Sequence, residues 1–355
     1  MEPLSLFDTD LQPVPRLPGG DAVGVSVAPA ARPASPPRLP TAATGPTLLA
    51  VDGNSLAHRA FHAYGQVGIT DGSGGDRGGV YGFLALLAAL GDITAADAVV
   101  VGFDCRDSSA RRDRWSGYKA QRPPKDPALY ALFDVVTGVL ADLGVTVVQP
   151  PGWEADDVLG SAAAAAEAAG WRAVLATSDR DAFCLVSDTT TVLRLRSGIG
   201  NAVSVDRARL RREVGVTPEQ YTEFAALRGD TSDNLPGVSG IGPARAKALF
   251  AAYDAVAHAA ADPLGCRSVL GPGPGQALLD DVAADDSRFH RNVTLMTIRR
   301  DLPLDVEACR PTATPHAVAR CCSDWGVPGL AARLAVVFAA AETWVPPGDA
   351  DAPPT

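Results

Sequence analysis

Apolar residues along this chain follow two periods. Short, nearly continuous apolar runs at Thr47–Val51, Ala98–Phe103, Val145–Val148, Ala173–Ala176 and Thr191–Leu195 read as buried strands. Longer patterned stretches at Val80–Leu90, Leu129–Leu143, Ala155–Ala169 and Ala244–Ala252 read as helices. Their alternation predicts an α/β domain with a mostly parallel central sheet flanked by helices. After about residue 205 the pattern turns helical, which predicts a smaller helical module over 206–300 and a helical extension over 301–345. Residues 1–44 are rich in Pro, Ala and small polar residues without periodicity. They read as a disordered tail, as do residues 346–355, because neither buries enough apolar surface to offset chain entropy. No internal repeat is visible.

The acidic residues sharpen this picture. Asp52 ends the first strand and Asp104 follows the second. Glu154, Asp156 and Asp157 follow the third at a helix start, and Asp179 and Asp181 follow the fourth. In an open parallel sheet, ligands bind outside the carboxyl ends of the strands, so these acids are expected to converge there. Asp230 and Asp233, spaced i and i+3 on what reads as a helical turn, add two more. A single Asp after a strand is ordinarily a turn former or a helix cap. Four strand ends that all finish in acid, with a pair downstream, are poorly explained by capping. Clustered carboxylates repel one another unless cations or protons intervene. Oxygen-only donors favour Mg²⁺, or Mn²⁺ in its place, over zinc. Two such ions roughly 3.5–4 Å apart suit hydrolysis of a phosphodiester.

Composition limits the alternatives. The 355 residues carry a formal net charge of −10, which weighs weakly against nucleic-acid binding. The charge is segregated, however. Between Cys105 and Lys125 there are seven Arg or Lys against two Asp, and between Arg194 and Arg212 six Arg against one Asp. The six cysteines form no C-x-x-C pair, so a zinc site or disulfide framework is not expected. Apolar runs are too short to span a bilayer. The acidic, Pro-containing start has no signal-peptide character, so the expected location is cytoplasmic, away from membranes.

Seven blocks in order then resemble the 5′ nuclease family, that is, flap endonucleases and the 5′–3′ exonuclease domain of bacterial DNA polymerase I. They are Val51-Asp52-Gly53-Asn54-Ser55-Leu56 with Arg59-Ala60-Phe61; Val80-Tyr81-Gly82-Phe83; Phe103-Asp104; Gly117-Tyr118-Lys119-Ala120; Glu154-Ala155-Asp156-Asp157; Ser178-Asp179-Arg180-Asp181; and Leu227-Arg228-Gly229-Asp230 through Asp233-Asn234-Leu235-Pro236-Gly237-Val238. The resemblance covers roughly residues 47–300. It implies a PIN-like nuclease fold with a helix–three-turn–helix in the helical module, and it implies that all nine acids form the metal cluster. By resemblance, Asp52, Asp104, Glu154 and Asp156 hold one ion. Asp179, Asp181 and Asp230, with Asp156 or Asp157 near, hold the other, and Asp233 acts through water.

The basic stretch near 106–126 lies between two of the acidic strand ends. Arg111, Lys119 and Arg122, with Trp115 and Tyr118, fit a helical gateway in which cations meet the scissile phosphate and an aromatic stacks on a frayed base. The glycine-rich Gly237, Val238, Gly240, Ile241 and Gly242 precede a helix, which suits close approach to a phosphate without base reading. The segment resembles the family's helix–three-turn–helix, which grips duplex DNA and often binds K⁺ through carbonyls. Where the family commonly continues Gly-Glu-Lys-Thr, this chain has Gly242-Pro243-Ala244-Arg245, and Arg245 and Lys247 are the candidates to restore the charge.

At the N-terminus, Leu4-Ser5-Leu6-Phe7 resembles the short peptide that docks bacterial replication proteins on the sliding clamp. The usual leading Gln is replaced by Pro3, and a plain disordered tail is the other reading. The chain ends where a polymerase I would continue into its next domains. The resulting expectation is a stand-alone, monomeric 5′–3′ exonuclease or flap endonuclease that uses two metal ions on DNA with 5′ ends, flaps or junctions. The alternatives are a structured-DNA-binding protein without catalysis and a ribonuclease of related fold.

Overall fold

The computed structural model describes residues 45–65, 69–70, 75–196 and 198–340. The predicted tails and the Leu4–Phe7 peptide lie outside the described residues. The sheet begins with β1 (Thr47–Asp52), a fully buried run whose last residue caps α1 (Gly53–Tyr64) by accepting a hydrogen bond from the Ser55 amide. There follow α2 (Gly78–Thr94), β2 (Ala98–Gly102), the short α3 (Ala110–Arg114), α4 (Pro127–Asp142), β3 (Thr146–Val148), α5 (Ala155–Ala168), β4 (Arg172–Thr177), β5 (Thr190–Arg196) and β6 (Gly198–Val205). The strand order is β3-β2-β1-β4-β5-β6. The first five strands in that order are parallel, and only the edge strand β6 runs antiparallel.

This is the α/β fold the sequence predicts, with two additions. α1 and β6 are not evident from hydrophobic period. α1 is short, with His and Asn among its apolar positions, and β6 is an edge strand rich in Gly and polar residues. Apolar layers cover both faces of the sheet. On one face Leu49, Val51 and Val99 pack with Phe83 and Val136. On the other, Leu48, Ala50 and Val100 pack with Leu159 and with Tyr221 and Phe224 of the helical part. Both faces are therefore covered, as a mostly parallel sheet requires.

From Arg207 on, the regular elements of the described chain are almost all helices. It comprises α6 (Arg207–Glu213), α7 (Pro218–Arg228), a two-residue hairpin of β7 (Gly229–Asp230) and β8 (Leu235–Pro236), then α8 (Pro243–Ala252), α9 (Val256–Ala261), α10 (Pro263–Leu270), α11 (Pro272–Ala283), α12 (Arg288–Met296), α13 (Pro315–Asp324) and α14 (Ala331–Phe338). α14 closes back on α2: Val337 lies so near that a methyl group on Gly91 would sit 2.4 Å from it. No helix among the described residues is long and apolar enough to cross a membrane.

Candidate active site at the carboxyl edge of the sheet

The order β3-β2-β1-β4 places four parallel strand ends side by side, so the acids that follow them share one edge. Local hydrogen bonds fix each one. Asp52 accepts from the Ser55 amide through Oδ1 (2.8 Å) and from Thr177 Oγ1 through Oδ2 (2.9 Å), which ties the end of β1 to the end of β4. Asp104 Oδ1 accepts from the Ala155 amide at the start of α5 (3.0 Å), and its own amide donates to Asn54 Oδ1 (2.9 Å). Asp179 Oδ1 accepts from the Asp181 amide (2.9 Å). Asp230 and Asp233 come from the β7–β8 hairpin turn rather than the helical turn expected from their spacing. Asp230 Oδ1 gathers the Ser232 amide (2.7 Å) and the Asp233 amide (3.3 Å), so the i, i+3 spacing reflects a tight turn.

The electrostatics of this edge are unfavourable for bare carboxylates. Burial, and then repulsion by Asp104 and Asp179, push Asp52 up to about 7 against the hydrogen bonds that it accepts. Burial, reinforced by neighbouring acids, holds Asp156 and Asp181 well above the ordinary carboxylate range. Asp156 Oδ1 is buried with no hydrogen-bond partner. An oxygen-only donor set with an orphaned buried oxygen fits a hard divalent cation. Among the described residues, no three of these side chains stand close enough to enclose one ion. Part of the acid set is instead engaged by basic side chains.

That engagement changes the expected roles of several residues. Asp157, expected among the metal ligands, is fully buried. It takes Arg111 in a forked pair (2.6 and 2.8 Å) and accepts the amides of Glu154 (3.0 Å) and Arg299 (2.9 Å). Consecutive residues at a helix N-terminus point in different directions, and Asp157 is the one that closes the capping box of α5. Its partner Arg111, expected at the gateway, is only 6% exposed and also donates to the carbonyls of Leu295 (2.8 Å) and Thr297 (3.2 Å). This guanidinium holds structure together and is not offered to a ligand. Tyr118, expected to stack on a base, is 4% exposed, and its hydroxyl donates to Glu154 Oε2 (3.1 Å). Trp115 is half-buried, with the Arg291 guanidinium 4.3 Å from its ring centre.

Lys119 and Arg122 do reach the acids. Lys119 Nζ lies 2.9 Å from Glu154 Oε1 and 3.9 Å from Asp233 Oδ2, and Arg122 pairs with Asp233. Burial alone would raise Glu154, but Lys119 and Arg111 outweigh it and hold the carboxyl below its usual range. Lys119 adopts a left-handed backbone (φ 55°), a conformation disfavoured for Lys. It is held there by the hairpin: the Lys119 amide donates to the Asp233 carbonyl (3.0 Å), and Asn234 Nδ2 donates to the Gly117 carbonyl (2.8 Å). Such strain, fixed by its surroundings, is a mark of functional segments. Sequence reasoning missed Thr177, Lys125 (3.8 Å from Asp104) and Arg299; a hydroxyl directly before Ser178-Asp179 was the available sign of the first.

In the helical module, Gly237, Val238, Gly240, Ile241 and Gly242 form the turn between β8 and α8. Val238 and Ile241 are buried in the core, so only their backbone is available to a ligand. Gly237 is packed so closely that a Cβ would lie 2.4 Å from the carbonyl oxygens of Leu227 and Arg228, whereas Gly242 faces open space. Arg245, expected to meet DNA, is exposed and donates to the carbonyls of Gly240 (2.9 Å) and Leu270 (3.1 Å). Lys247 is exposed.

Comparison with known proteins now places the chain. Residues 47–215 match the family model of the 5′-3′ exonuclease N-terminal resolvase-like domain, and residues 216–316 match that of the 5′-3′ exonuclease C-terminal SAM fold. The chain belongs to the 5′–3′ exonuclease family. DNA polymerase I of Mycobacterium tuberculosis is 37% identical over 259 residues, which is 73% of this chain and 28% of that protein. The thermostable DNA polymerase I of Thermus aquaticus is 35% identical over 261 residues, 73% of this chain and 29% of that protein. The chain thus spans less than a third of the curated relatives it matches. Among solved structures, the T5 D15 protein co-crystallized with metal ions shares the fold at 19% identity and a TM-score of 0.55, over 82% of this chain and 99% of that one. Human GEN1 in complex with Holliday junction DNA shares it at 15% identity and a TM-score of 0.56, over 83% and 72%.

Proposed function

We propose that this member of the family is a nuclease that hydrolyses phosphodiesters of structured DNA near a 5′ end, flap or junction, leaving a 5′-phosphate. The observation that carries the reading is the gathering of strand-end carboxylates at one sheet edge, with an orphaned Asp156 oxygen, directly beside the cations of Lys119 and Arg122. Asp52, Asp104, Glu154 and Asp156 on one side, and Asp179, Asp181, Asp230 and Asp233 on the other, would hold two Mg²⁺ ions. Such ions supply charge stabilisation to a phosphate under attack and favour ionisation of the attacking water. Asp157 is left out of this set because Arg111 and two amides fill its oxygens.

The chain's own part is to place the phosphate. Lys119 and Arg122 stand at the acids and exchange carboxylate for phosphate when DNA arrives, an exchange between two oxyanions of similar geometry. The β7–β8 hairpin holds Lys119 in its strained conformation, so the ammonium is positioned before substrate binds. The turn at 237–242 would offer backbone to the duplex, and its carbonyls would hold K⁺. The protein works as a monomer in the cytoplasm. The Leu4–Phe7 peptide would dock it on the sliding clamp, and deletion of residues 1–8 with unchanged clamp binding would remove that part.

The test is cleavage of a 5′-labelled flap duplex, with Mg²⁺ and then with EDTA, by the unaltered protein and by Asp179→Asn. Cleavage that needs the metal and is lost in the variant supports the reading. Binding without cleavage in any divalent metal would make the chain a non-catalytic DNA-binding protein, and preference for RNA would make it a ribonuclease.

A further inference from the structure

A second set of cations lies on the other lip of the same edge, and the site described above makes no use of it. Arg194 stands on β5 directly beside Thr177 of β4, as the parallel register shows. Arg196 follows on the same strand, past an irregularity in the pairing with β6, and it is exposed. Arg180 lies between Asp179 and Asp181 in the segment leaving β4 and is also exposed. The strand end that carries Arg196 is pinned from α1. Arg59 donates to the Arg196 carbonyl and, 2.9 Å away, to Ser178 Oγ, which itself pairs with Ser55 Oγ at 2.8 Å.

Several arginines elsewhere in this acidic chain take a carboxylate. Arg207 pairs with Asp188 and Glu219, Arg209 with Glu213, Arg310 with Glu307 and Arg333 with Asp92. Arg180, Arg194 and Arg196 have no such ion pair among the described residues, and Arg194 Nε is buried without a hydrogen-bond partner. Burial, then the like charges of Arg180 and Arg196, hold Arg194 below its usual range. Three arginines near one another, none of them in an ion pair among the described residues and with Asp179 the nearby carboxylate, form a region that gains from an anion. The fork of a guanidinium matches a phosphate.

We propose that Arg180, Arg194 and Arg196 form a second phosphate-binding surface, which holds a backbone phosphate of the nucleic-acid strand away from the scissile bond. The inference rests on the nuclease reading above and adds a subsite to it. Lys119 and Arg122 take phosphate on the Glu154 and Asp233 side, and the three arginines take it on the Asp179 and Asp181 side. A polyanion is thereby drawn across a basin of carboxylates that would repel it. The surface reads no sequence, because it meets only the backbone.

The experiment measures binding of a labelled 5′-flap duplex across a salt series, with Ca²⁺ in place of Mg²⁺. It compares the full chain with Arg194→Gln, Arg196→Gln and the triple glutamine variant that adds Arg180→Gln, all checked for folding by thermal melting. The triple variant is expected to bind about tenfold or more weakly. The slope of log Kd against log salt should fall by about 1 for each phosphate that is no longer neutralised. Arg194→Lys and Arg196→Lys, which keep the charge if the glutamine variants fold poorly, should keep the slope. An unchanged Kd and slope in the triple variant, while the unaltered protein binds and cuts the flap, would overturn this subsite and leave the nuclease reading standing. Lysine variants that lose the slope as fully as glutamine variants would overturn it too. An unaltered protein that neither binds nor cuts the flap would overturn both.

Discussion

At the carboxyl edge of the sheet, side chains face the ligand, and the backbone serves only to hold them. Asp52 and Asp104 are fixed by amides and hydroxyls, and one oxygen of Asp156 is left buried and unpartnered. In the turn at 237–242 the division is reversed. Val238 and Ile241 are spent on the core, which leaves the backbone of the turn itself as its ligand-facing material, with the exposed Arg245 and Lys247 beside it on α8. The difference suits the two tasks proposed for them. Catalysis on a phosphodiester needs charge aimed at particular atoms, whereas gripping a duplex without reading it needs only regularly spaced donors. An edge built of charges also carries instability that a backbone turn does not.

The sharpest way to break this contrast is Asp156→Asn. The amide keeps the shape and removes the charge. Cleavage in Mg²⁺ should fall on the order of 10²–10³-fold, while the melting temperature in EDTA should rise, because a buried, unpaired carboxylate has gone. A variant with normal turnover, or one that melts lower in EDTA, would show that Asp156 is an ordinary structural acid. The neighbouring pair should behave in the opposite way. Arg111→Leu leaves Asp157 buried without its cation, at a cost of about 3 kcal/mol in unfolding free energy by chemical denaturation. If instead the variant stays as stable and simply binds DNA less well, Arg111 is a gateway residue after all.

A smaller effect comes from pH. Asp52 titrates at about 7 in the folded protein and near 3.8 when unfolded, so the folded state binds more protons in that window. The stability this contributes is full below 3.8 and is lost as pH rises through 7. In EDTA the protein should therefore lose about 2 kcal/mol between pH 5 and pH 8, with Asp156 and Asp181 adding in the same direction. Divalent metal, which binds the folded state alone, should restore melting at pH 8. A melting temperature that climbs with pH in EDTA would contradict the burial argued for this edge.

The strands and the acid pattern were legible because both are read from local order: an apolar run, then an acid, repeated four times. The same locality hid what depends on direction. Asp156 and Asp157 are equivalent acids in the sequence, and only the helix start turns one into the basin and the other toward Arg111. Arg111 and Tyr118 lie in a stretch that reads as a helical gateway open to a ligand, yet long-range partners at Leu295, Thr297 and Glu154 bury them. Asp230 and Asp233 kept their proximity while changing from a helical turn to a hairpin, because i, i+3 neighbours meet in either.

The smallest effects should come from the glycine-rich turn, and they separate folding from DNA binding. Gly242 faces open space, so Gly242→Ala adds a methyl group only where a ligand would approach, and its backbone φ of −95° suits any residue. The protein should melt as before and bind duplex DNA a few-fold more weakly, a loss below about 1 kcal/mol. Gly237→Ala places its methyl group against the carbonyls of Leu227 and Arg228, so it should lower the melting temperature as well as binding. Lys247→Gln, at an exposed position, should flatten the salt dependence by about one neutralised phosphate without a change in stability. Equal binding by Gly242→Ala and the unaltered protein across the salt series would mean that this turn does not meet the duplex. The helical module would then hold DNA through some other face, and the contrast between a side-chain edge and a backbone turn would fail at its second half.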